Sequence, residues 1–265
     1  MKERMMIGSS NDAEAVRTQY SSSNGLNIRI AFHDMYSTNK YGYGNWILSN
    51  YEISEGAKVL ELGCGTASMW MGHDDLIARC GLLMLTDMSE GMLSAAKENI
   101  GERKNAAYAL ADIQDIPFED DSFDVVIANS MLYHVPKIEC GIREVRRVLK
   151  NKGVFYCATY GEHNFTDVLA EWFELDGESF RPNHNFTMQN GEQILKTAFT
   201  NVEAKFYEDS LHITNIDDLA DYLRSLVSLK AVIDLPSERI HEILIRHSCD
   251  GTIRLPKEYG MFVCR

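Results

Sequence analysis

The 265-residue chain is long enough for one full domain with insertions, or for one domain and a small cap. Its composition, 45% hydrophobic and 25% charged, excludes a disordered or collagen-like protein. The 39 acidic residues outnumber the 26 basic ones, and the net charge of −13 disfavours a general nucleic-acid-binding function because an acidic surface repels phosphate.

The first residues of the chain are charged and lack the apolar core of a signal peptide. No stretch approaches the roughly 18 to 20 apolar residues that a membrane span needs. The six cysteines are far apart and include no Cys-x-x-Cys pair, so we expect free thiols, no disulfide framework and no metal site. These features predict a cytoplasmic protein without a membrane segment and leave its oligomeric state open.

Residues 1–50 show no clear helical or strand period, but they are rich in aromatic side chains. The aromatic residues are Tyr20, Phe32, Tyr36, Tyr41, Tyr43 and Trp46. Because ring faces attract cations, one interpretation is an aromatic lid over a ligand, and the other is a lid packed only on itself. We predict that residues 1–50 form a lid segment.

From residue 57 onward, short apolar runs alternate with stretches of helical period. The runs expected to be strands are 58–62, 82–87, 108–111, 123–128 and 153–159. Ser89 is a candidate N-cap for the helix after the second run, and Gly101 is a candidate end of that helix. Near-continuous apolar strands alternating with helices predict a parallel sheet covered on both faces.

The C-terminal part combines amphipathic helical stretches with two late strands, expected at 202–207 and 260–264. The sequence contains no internal repeat and no Pro-rich linker. We therefore predict one domain over residues 51–265, with helical cap insertions at about 162–195 and 210–250.

The turn Gly63-Cys64-Gly65 follows the first predicted strand and precedes a helical stretch. Glycines at such a turn let a ligand approach the backbone, and the helix offers unpaired N–H groups. Asp87 ends the second strand, 24 residues after Gly63, where a carboxylate can accept both hydroxyls of a ribose. This pattern fits either a nicotinamide dinucleotide or S-adenosylmethionine.

Three details favour S-adenosylmethionine. Ser68 stands where a dinucleotide fingerprint requires a third Gly or Ala. Glu61 would be an unneeded charge beside a pyrophosphate, but it suits the ammonium and sulfonium groups of S-adenosylmethionine. Asp112 follows the third strand and is placed to accept a hydrogen bond from an adenine amino group.

At these residues the chain resembles the class I S-adenosylmethionine-dependent methyltransferases, in particular their type 11, small-molecule group. The matching segments are VLELGCGTA (59–67), LTDMSEGML (85–93), ALADIQDIPFEDDSFDVVIANSMLYHV (109–135) and REVRRVLKNKGVF (143–155). The segment RIAFHDMYSTNKYGYGNWI (29–47) is similar to the entry region of some bacterial members. The resemblance implies an α/β, Rossmann-like, doubly wound sheet of seven strands, mostly parallel, with the last strand antiparallel.

The resemblance also implies which residues contact the methionine part of the cofactor. Gly63, Cys64 and Gly65 would present backbone groups to it, and Glu61 would lie near its amino group. Asn129, at the end of the fourth strand, would line the same part through its carbonyl. Where the family often has glycine this chain has an alanine, Ala67, and we expect a slight shift of the loop without loss of binding.

For the adenosine part, Asp87 would hold the ribose and Met88 would pack on one face of the adenine. Asp112 would bind the adenine amino group, and Ile113 would cover the other face. Met88 and Ile113 could equally be plain core residues.

Other candidates lie outside these motifs. Arg29 is the best-placed cation for the methionyl carboxylate. Tyr36, which like His33 belongs to the aromatic N-terminal segment, is a candidate to lie over the cofactor because a sulfonium attracts ring faces. His134 follows the fourth strand and could act as a general base, although a loop histidine is more often structural. The basic run Arg143, Arg146 and Arg147 is expected to be a solvated helix face.

The predicted reaction is an in-line displacement that transfers the methyl group to an O, N, S or C atom of a small metabolite and leaves S-adenosylhomocysteine. Adenine and glutamine N-methyltransferases carry Asn/Asp-Pro-Pro-Tyr after the fourth strand, whereas this chain has Asn-Ser-Met-Leu at 129–132. Two alternatives stay open: a methyltransferase acting on a protein or RNA base, and a catalytically silent S-adenosylmethionine-binding protein. No nucleic-acid partner is expected.

Overall fold

The computed structural model describes residues 23–175, 183–226 and 230–265. Its strands are β1 (Ala57–Leu62), β2 (Cys80–Asp87), β3 (Ala106–Leu110), β4 (Phe123–Ile127), β5 (Leu149–Tyr160), β6 (Val202–Ile213) and β7 (Ile253–Cys264). They form one sheet in the order β3-β2-β1-β4-β5-β7-β6. Strands β1 to β5 pair in parallel, and β7 is antiparallel to β5. The predicted seven-stranded sheet and its antiparallel last strand are therefore confirmed.

Helices precede and connect these strands. Those before β4 are α1 (Ser23–Tyr36), α2 (Tyr43–Ser49), α3 (Asp74–Arg79) and α4 (Glu90–Ile100). Those after β4 are α5 (Ile138–Val148), α6 (Phe165–Trp172), α7 (Gly191–Leu195), α8 (Ile216–Arg224), α9 (Lys230–Ile233) and α10 (Ser237–Arg246). Single 3₁₀ turns lie at Ser68–Trp70 and Leu132–His134.

The central strands are apolar because side chains on both of their faces are buried. In β1, Val59 and Leu60 are completely buried and belong to two different hydrophobic clusters. Burying one such side chain contributes roughly 1.5–3 kcal/mol. This rigid core holds the carboxyl ends of β1, β2 and β4, where ligands of open α/β sheets bind.

The described residues fall into two compact units. The sheet unit comprises residues 43–161, 185–207 and 259–265. The helical unit comprises the described residues of 1–42, 162–184 and 208–258. Helix α2 belongs to the sheet unit, although it lies inside the predicted lid segment, residues 1–50.

Local signals predicted some helix ends and missed other helices. Ser89 caps α4, accepting a hydrogen bond from Met92 N at 3.3 Å, and Gly101 follows the helix with φ of 72°. No helix was predicted in residues 1–50 because the segment shows no clear period, yet its described part contains α1 and α2. The amphipathic pattern of α1 is weak, which explains why periodicity alone missed it.

No helix in the described parts of the chain combines the length and the apolar character needed to cross a membrane.

Candidate functional site

The loop after β1 takes a backbone shape that only small residues adopt easily. Gly63 and Gly65 have φ of 66° and 55°. A Cβ on Gly63 would lie 3.0 Å from Met131 Cγ, whereas a Cβ on Gly65 would meet nothing within 4 Å. Ala67 also has a positive φ, 54°, which accounts for a preference for glycine there. The loop therefore leaves open space against the backbone at Gly65.

Asp87, the last residue of β2, is held by two backbone N–H groups. Gly65 N donates to one carboxylate oxygen at 2.9 Å, and Ser89 N donates to the other at 2.9 Å. Cys64 N donates to Thr86 O at 2.8 Å and ties the glycine loop to the same strand. The structure thus brings the glycine loop and the predicted ribose-binding carboxylate together.

Glu61 lies near the end of β1 and is only 4% exposed. Trp70 Nε1 donates a hydrogen bond to its Oε2 at 2.6 Å. Burial raises the pKa of Glu61 to about 7; the nearby Asp87 adds to the rise, and hydrogen bonds from Trp70 and Asn129 oppose it. A buried carboxylate of this kind is suited to a cationic partner.

The side chain of Asn129 belongs to the hydrogen-bond network around Glu61. The sequence predicted a role only for its backbone carbonyl. Its Nδ2 donates to Tyr51 Oη at 2.6 Å, and its side chain also hydrogen-bonds Glu61. Asn129 Oδ1 is buried and accepts no hydrogen bond from the described residues. Such an atom is costly unless a donor reaches it.

Asp112 lies in a tight turn after β3. Gln114 donates to its carboxylate from the backbone N at 2.8 Å and from Nε2 at 3.2 and 3.1 Å. Gln114 Oε1 accepts from Lys137 N at 3.1 Å. Ile113 is 3% exposed and would contact a Cβ placed on Gly141. Ile113 is therefore a core residue, and its contact with adenine stays a prediction.

The basic run on α5 is not simply a solvated face, which corrects the prediction. Arg147 donates to the carbonyls of Ile116 and Phe118 at 2.9 and 2.7 Å and pairs with Glu144 at 2.6 Å. Glu144 in turn accepts from Ile116 N at 3.0 Å. These contacts fasten the segment that follows Asp112, whereas Arg143 is exposed.

The structure also locates two weaker candidates. Met88 is 55% exposed, so its side chain is available to a ligand. His134 ends the 3₁₀ turn after β4 and lies beside Tyr133, with ring centroids 4.5 Å apart. Ser130, two residues before that turn, has φ of 52°. Neither side chain is thereby assigned a role, and both assignments stay predictions.

Arg29 and Tyr36 lie in the helical unit, where each has a partner. Arg29 Nη1 donates to Ser225 O at 2.8 Å, and Tyr36 Oη donates to Asp218. Burial and Asp218 raise the pKa of Tyr36 to about 12.

Neighbouring aromatic side chains of the helical unit pack on one another. The Phe32 and Tyr222 rings are 4.3 Å apart, and His33 shares a 3.2 Å hydrogen bond with Tyr222. Within this unit the aromatics form a self-packed cluster. Contact of Arg29 or Tyr36 with a cofactor stays a prediction.

Three contributing residues were missed by sequence reasoning: Trp70, Tyr51 and Gln114. A buried indole N–H usually finds a partner, so Trp70 could have been suspected near an acid. Tyr51 and Gln114 gave no such signal. Among the described residues, no group of three or more His, Cys, Asp or Glu side chains is arranged to hold a metal ion.

Comparison with protein families identifies the segment that carries these contacts. Residues 60–157 match the family model described as a methyltransferase domain. The chain contains a class I methyltransferase domain of type 11. The matched range includes the glycine loop, Asp87, Asp112 and Asn129.

Two curated relatives and one solved structure are similar to the chain. A demethylmenaquinone methyltransferase from Staphylococcus epidermidis is 31% identical over 111 residues, 42% of this chain and 46% of that protein. The match thus spans about half of that relative. A malonyl-[acyl-carrier protein] O-methyltransferase from Geobacter sulfurreducens is 28% identical over 77% of this chain and 80% of that protein.

The solved structure is phosphoethanolamine N-methyltransferase 2 from Haemonchus contortus, in complex with phosphomonomethylethanolamine and S-adenosylhomocysteine. Its TM-score is 0.57 at 17% identity, and the match covers 97% of this chain and 60% of that one. At this identity the likeness shows a shared fold.

The cofactor of the domain is S-adenosylmethionine, and the residues of the sheet unit fit it. The open space at Gly65 gives room for a ligand against the backbone. Glu61 is buried without a cation among the groups that shift its pKa, and Asn129 Oδ1 lacks a donor. An ammonium group supplies both a positive charge and N–H donors.

Proposed function

We propose that the chain is an S-adenosylmethionine-dependent methyltransferase acting on a small metabolite. The observation that carries the proposal is the grouping of Glu61, Asp87 and the Gly63–Gly65 loop at adjoining strand ends, where the Gly65 N–H donates a hydrogen bond to the Asp87 carboxylate. The bound cofactor supplies an electrophilic methyl group on a sulfonium. The protein binds the donor, orients the acceptor and excludes water.

Each residue has a distinct part in this proposal. Asp87 accepts hydrogen bonds from the ribose while Gly65 and Ser89 keep its carboxylate in place. Glu61 and Asn129 hold the methionyl ammonium. His134 would take the proton of an acceptor that carries one; His134→Ala would then lower turnover without changing the Kd for S-adenosylhomocysteine, and His73→Ala would serve as a control.

The small-metabolite part of the proposal draws on several independent observations. The two curated relatives are named for demethylmenaquinone and for a malonyl group on an acyl-carrier protein. The net charge of −13 disfavours RNA, and residues 129–132 lack the signature of adenine and glutamine N-methylation. The alternatives differ in where the methyl group goes: to a protein, to an RNA base, or, for a silent binding protein, to no acceptor.

A labelling experiment separates these alternatives. Purified protein is incubated with methyl-labelled S-adenosylmethionine and a cell extract, which is then fractionated into small molecules, protein and RNA. We expect label among the small molecules, at a level that Asp87→Ala abolishes. Label confined to RNA, or to protein from which thioester cleavage releases none of it, would favour the macromolecular alternative. No transfer despite cofactor binding would favour the silent one.

A further inference from the structure

Glu61 is enclosed by side chains that come from distant parts of the sheet unit. In the sheet it lies opposite Leu85 of β2 and Ile127 of β4. Trp70 donates to its carboxylate from the 3₁₀ turn after β1, and Asn129 does so from the loop after β4. With 4% of the residue exposed, water contributes little to its solvation.

A second layer fixes the residues that hold Glu61. The Tyr51 hydroxyl accepts from Asn129 Nδ2 at 2.6 Å, which orients the amide. The Tyr51 ring packs on Tyr156, with centroids 4.9 Å apart, and lies 6.4 Å from the ring of Trp70. The orientation that serves Glu61 leaves Asn129 Oδ1 buried and without a donor from the described residues.

Within the described parts of the chain, no cationic side chain is among the groups that shift the pKa of Glu61. Asp87 raises its pKa, and Glu61 in turn raises the pKa of Tyr51 and of Cys64. Burial acts in the same direction and is the largest contribution, so the pKa of Glu61 is about 7. In the ligand-free protein the carboxyl group is therefore about half protonated at neutral pH.

This inference rests on the proposed function. We propose that Trp70 is a positioning residue which, together with the side-chain amide of the ligand-binding Asn129, holds Glu61 as the counter-charge of the cofactor ammonium, so that cofactor binding expels the proton of Glu61. The positive ligand favours the carboxylate over the carboxylic acid and lowers its pKa on binding. The Glu61 proton passes to solvent, and the ammonium keeps its own.

The sign of the pH dependence follows from this exchange. Below pH 7 the free protein holds the proton that the complex lacks, so acid opposes binding. With a pKa of about 7 for Glu61, affinity is expected to be about 15-fold weaker at pH 5.5 than at pH 7. The α-amino group of the ligand, with a pKa of about 7.7–8.0, stays protonated over this range.

The test is calorimetric titration with S-adenosylhomocysteine at pH 5.5, 6 and 7, in two buffers of different ionisation enthalpy. We expect release of nearly one proton at pH 6 and about half a proton at pH 7. The matched ligand 5′-methylthioadenosine lacks the amino-acid part, so its affinity is expected to change little with pH.

Variants distinguish positioning from a general structural role. Trp70→Phe removes the N–H donor, so the midpoint of the pH profile should move upward, while Trp46→Phe in the same unit should leave it in place. Glu61→Gln should bind S-adenosylhomocysteine more weakly and without pH dependence. If Trp70→Phe does not fold, the pH profiles of the wild type and of Glu61→Gln still test whether cofactor binding expels the Glu61 proton.

The two proposals fail in different ways. Binding of S-adenosylhomocysteine with the same affinity and no proton release across the pH range would overturn the coupling and leave the methyltransferase proposal standing. Absence of binding at every pH would overturn both. An equal pH dependence for 5′-methylthioadenosine would assign the effect to a group other than Glu61.

Discussion

The acids of the candidate site are held in two different ways. Asp87 and Asp112 each accept a hydrogen bond from the backbone N–H two residues later, at Ser89 and Gln114, in the same kind of Asx turn. Glu61 is instead held by Trp70 and Asn129, which lie 9 and 68 residues away along the chain. The positions of Asp87 and Asp112, the two turn acids, are fixed by the local sequence. Glu61 instead depends on tertiary packing for its position and its protonation state.

The largest effect is expected where a turn acid is lost. Asp87→Ala removes the ribose acceptor and leaves Gly65 N–H and Ser89 N–H without their partner. Charge-assisted hydrogen bonds contribute about 1.5–3 kcal/mol each, so the Kd for S-adenosylhomocysteine should rise at least about 100-fold. Asp75→Ala, at an exposed acid of α3, is the control. Equal affinities of the two variants in calorimetry would contradict the assignment of Asp87.

A methyl group on the glycine loop should give the next largest effect. Gly65→Ala and Gly56→Ala each place a Cβ where φ is positive and nothing lies within 4 Å. Both should lower the free energy of unfolding by roughly 1–2 kcal/mol. Only Gly65→Ala should also weaken cofactor binding, by roughly tenfold, because its methyl enters the space left for the ligand. If both variants bind equally, that space does not receive the cofactor.

A third substitution removes tertiary support from the turn acid Asp112. Arg147→Ala loses hydrogen bonds to two carbonyls, to the partly exposed Glu144 and to the exposed Asp120. Urea denaturation should show a loss of about 1–2 kcal/mol in unfolding free energy, reduced from a fully buried case because solvent screens these pairs. Arg143→Ala, at an exposed position of the same helix, should change stability little. Equal losses would show that the hydrogen bonds from Arg147 to the carbonyls of Ile116 and Phe118 contribute little to stability.

The smallest effect is expected at Ala67. Ala67→Gly relieves the positive φ of 54°, but it adds backbone freedom to the unfolded chain and removes a methyl group that is 2% exposed. These contributions oppose each other, so unfolding free energy should change by less than about 1 kcal/mol. The Kd for S-adenosylhomocysteine should stay within about threefold of wild type. A larger change in calorimetry would mean that the alanine sets the shape of the loop.

These contrasts explain what could be predicted from the sequence. The sheet, the glycine turn and the turn acids depend on contiguous residues, so the fold class and the cofactor followed from short patterns. The partners of Glu61 could not be predicted in this way, because no local pattern places Trp70 or Tyr51 beside it. Helix α1 was missed for a related reason: its aromatic residues Phe32 and Tyr36 are buried against residues of the helical unit nearly 200 positions away.

The most direct test of the central claim is titration of the wild-type protein with S-adenosylmethionine, S-adenosylhomocysteine and NADH. We predict micromolar binding of the first two, at one site per chain, and no binding of NADH. Binding of NADH, or failure of both adenosyl ligands to bind at pH 7, would contradict the claim that these strand ends hold S-adenosylmethionine.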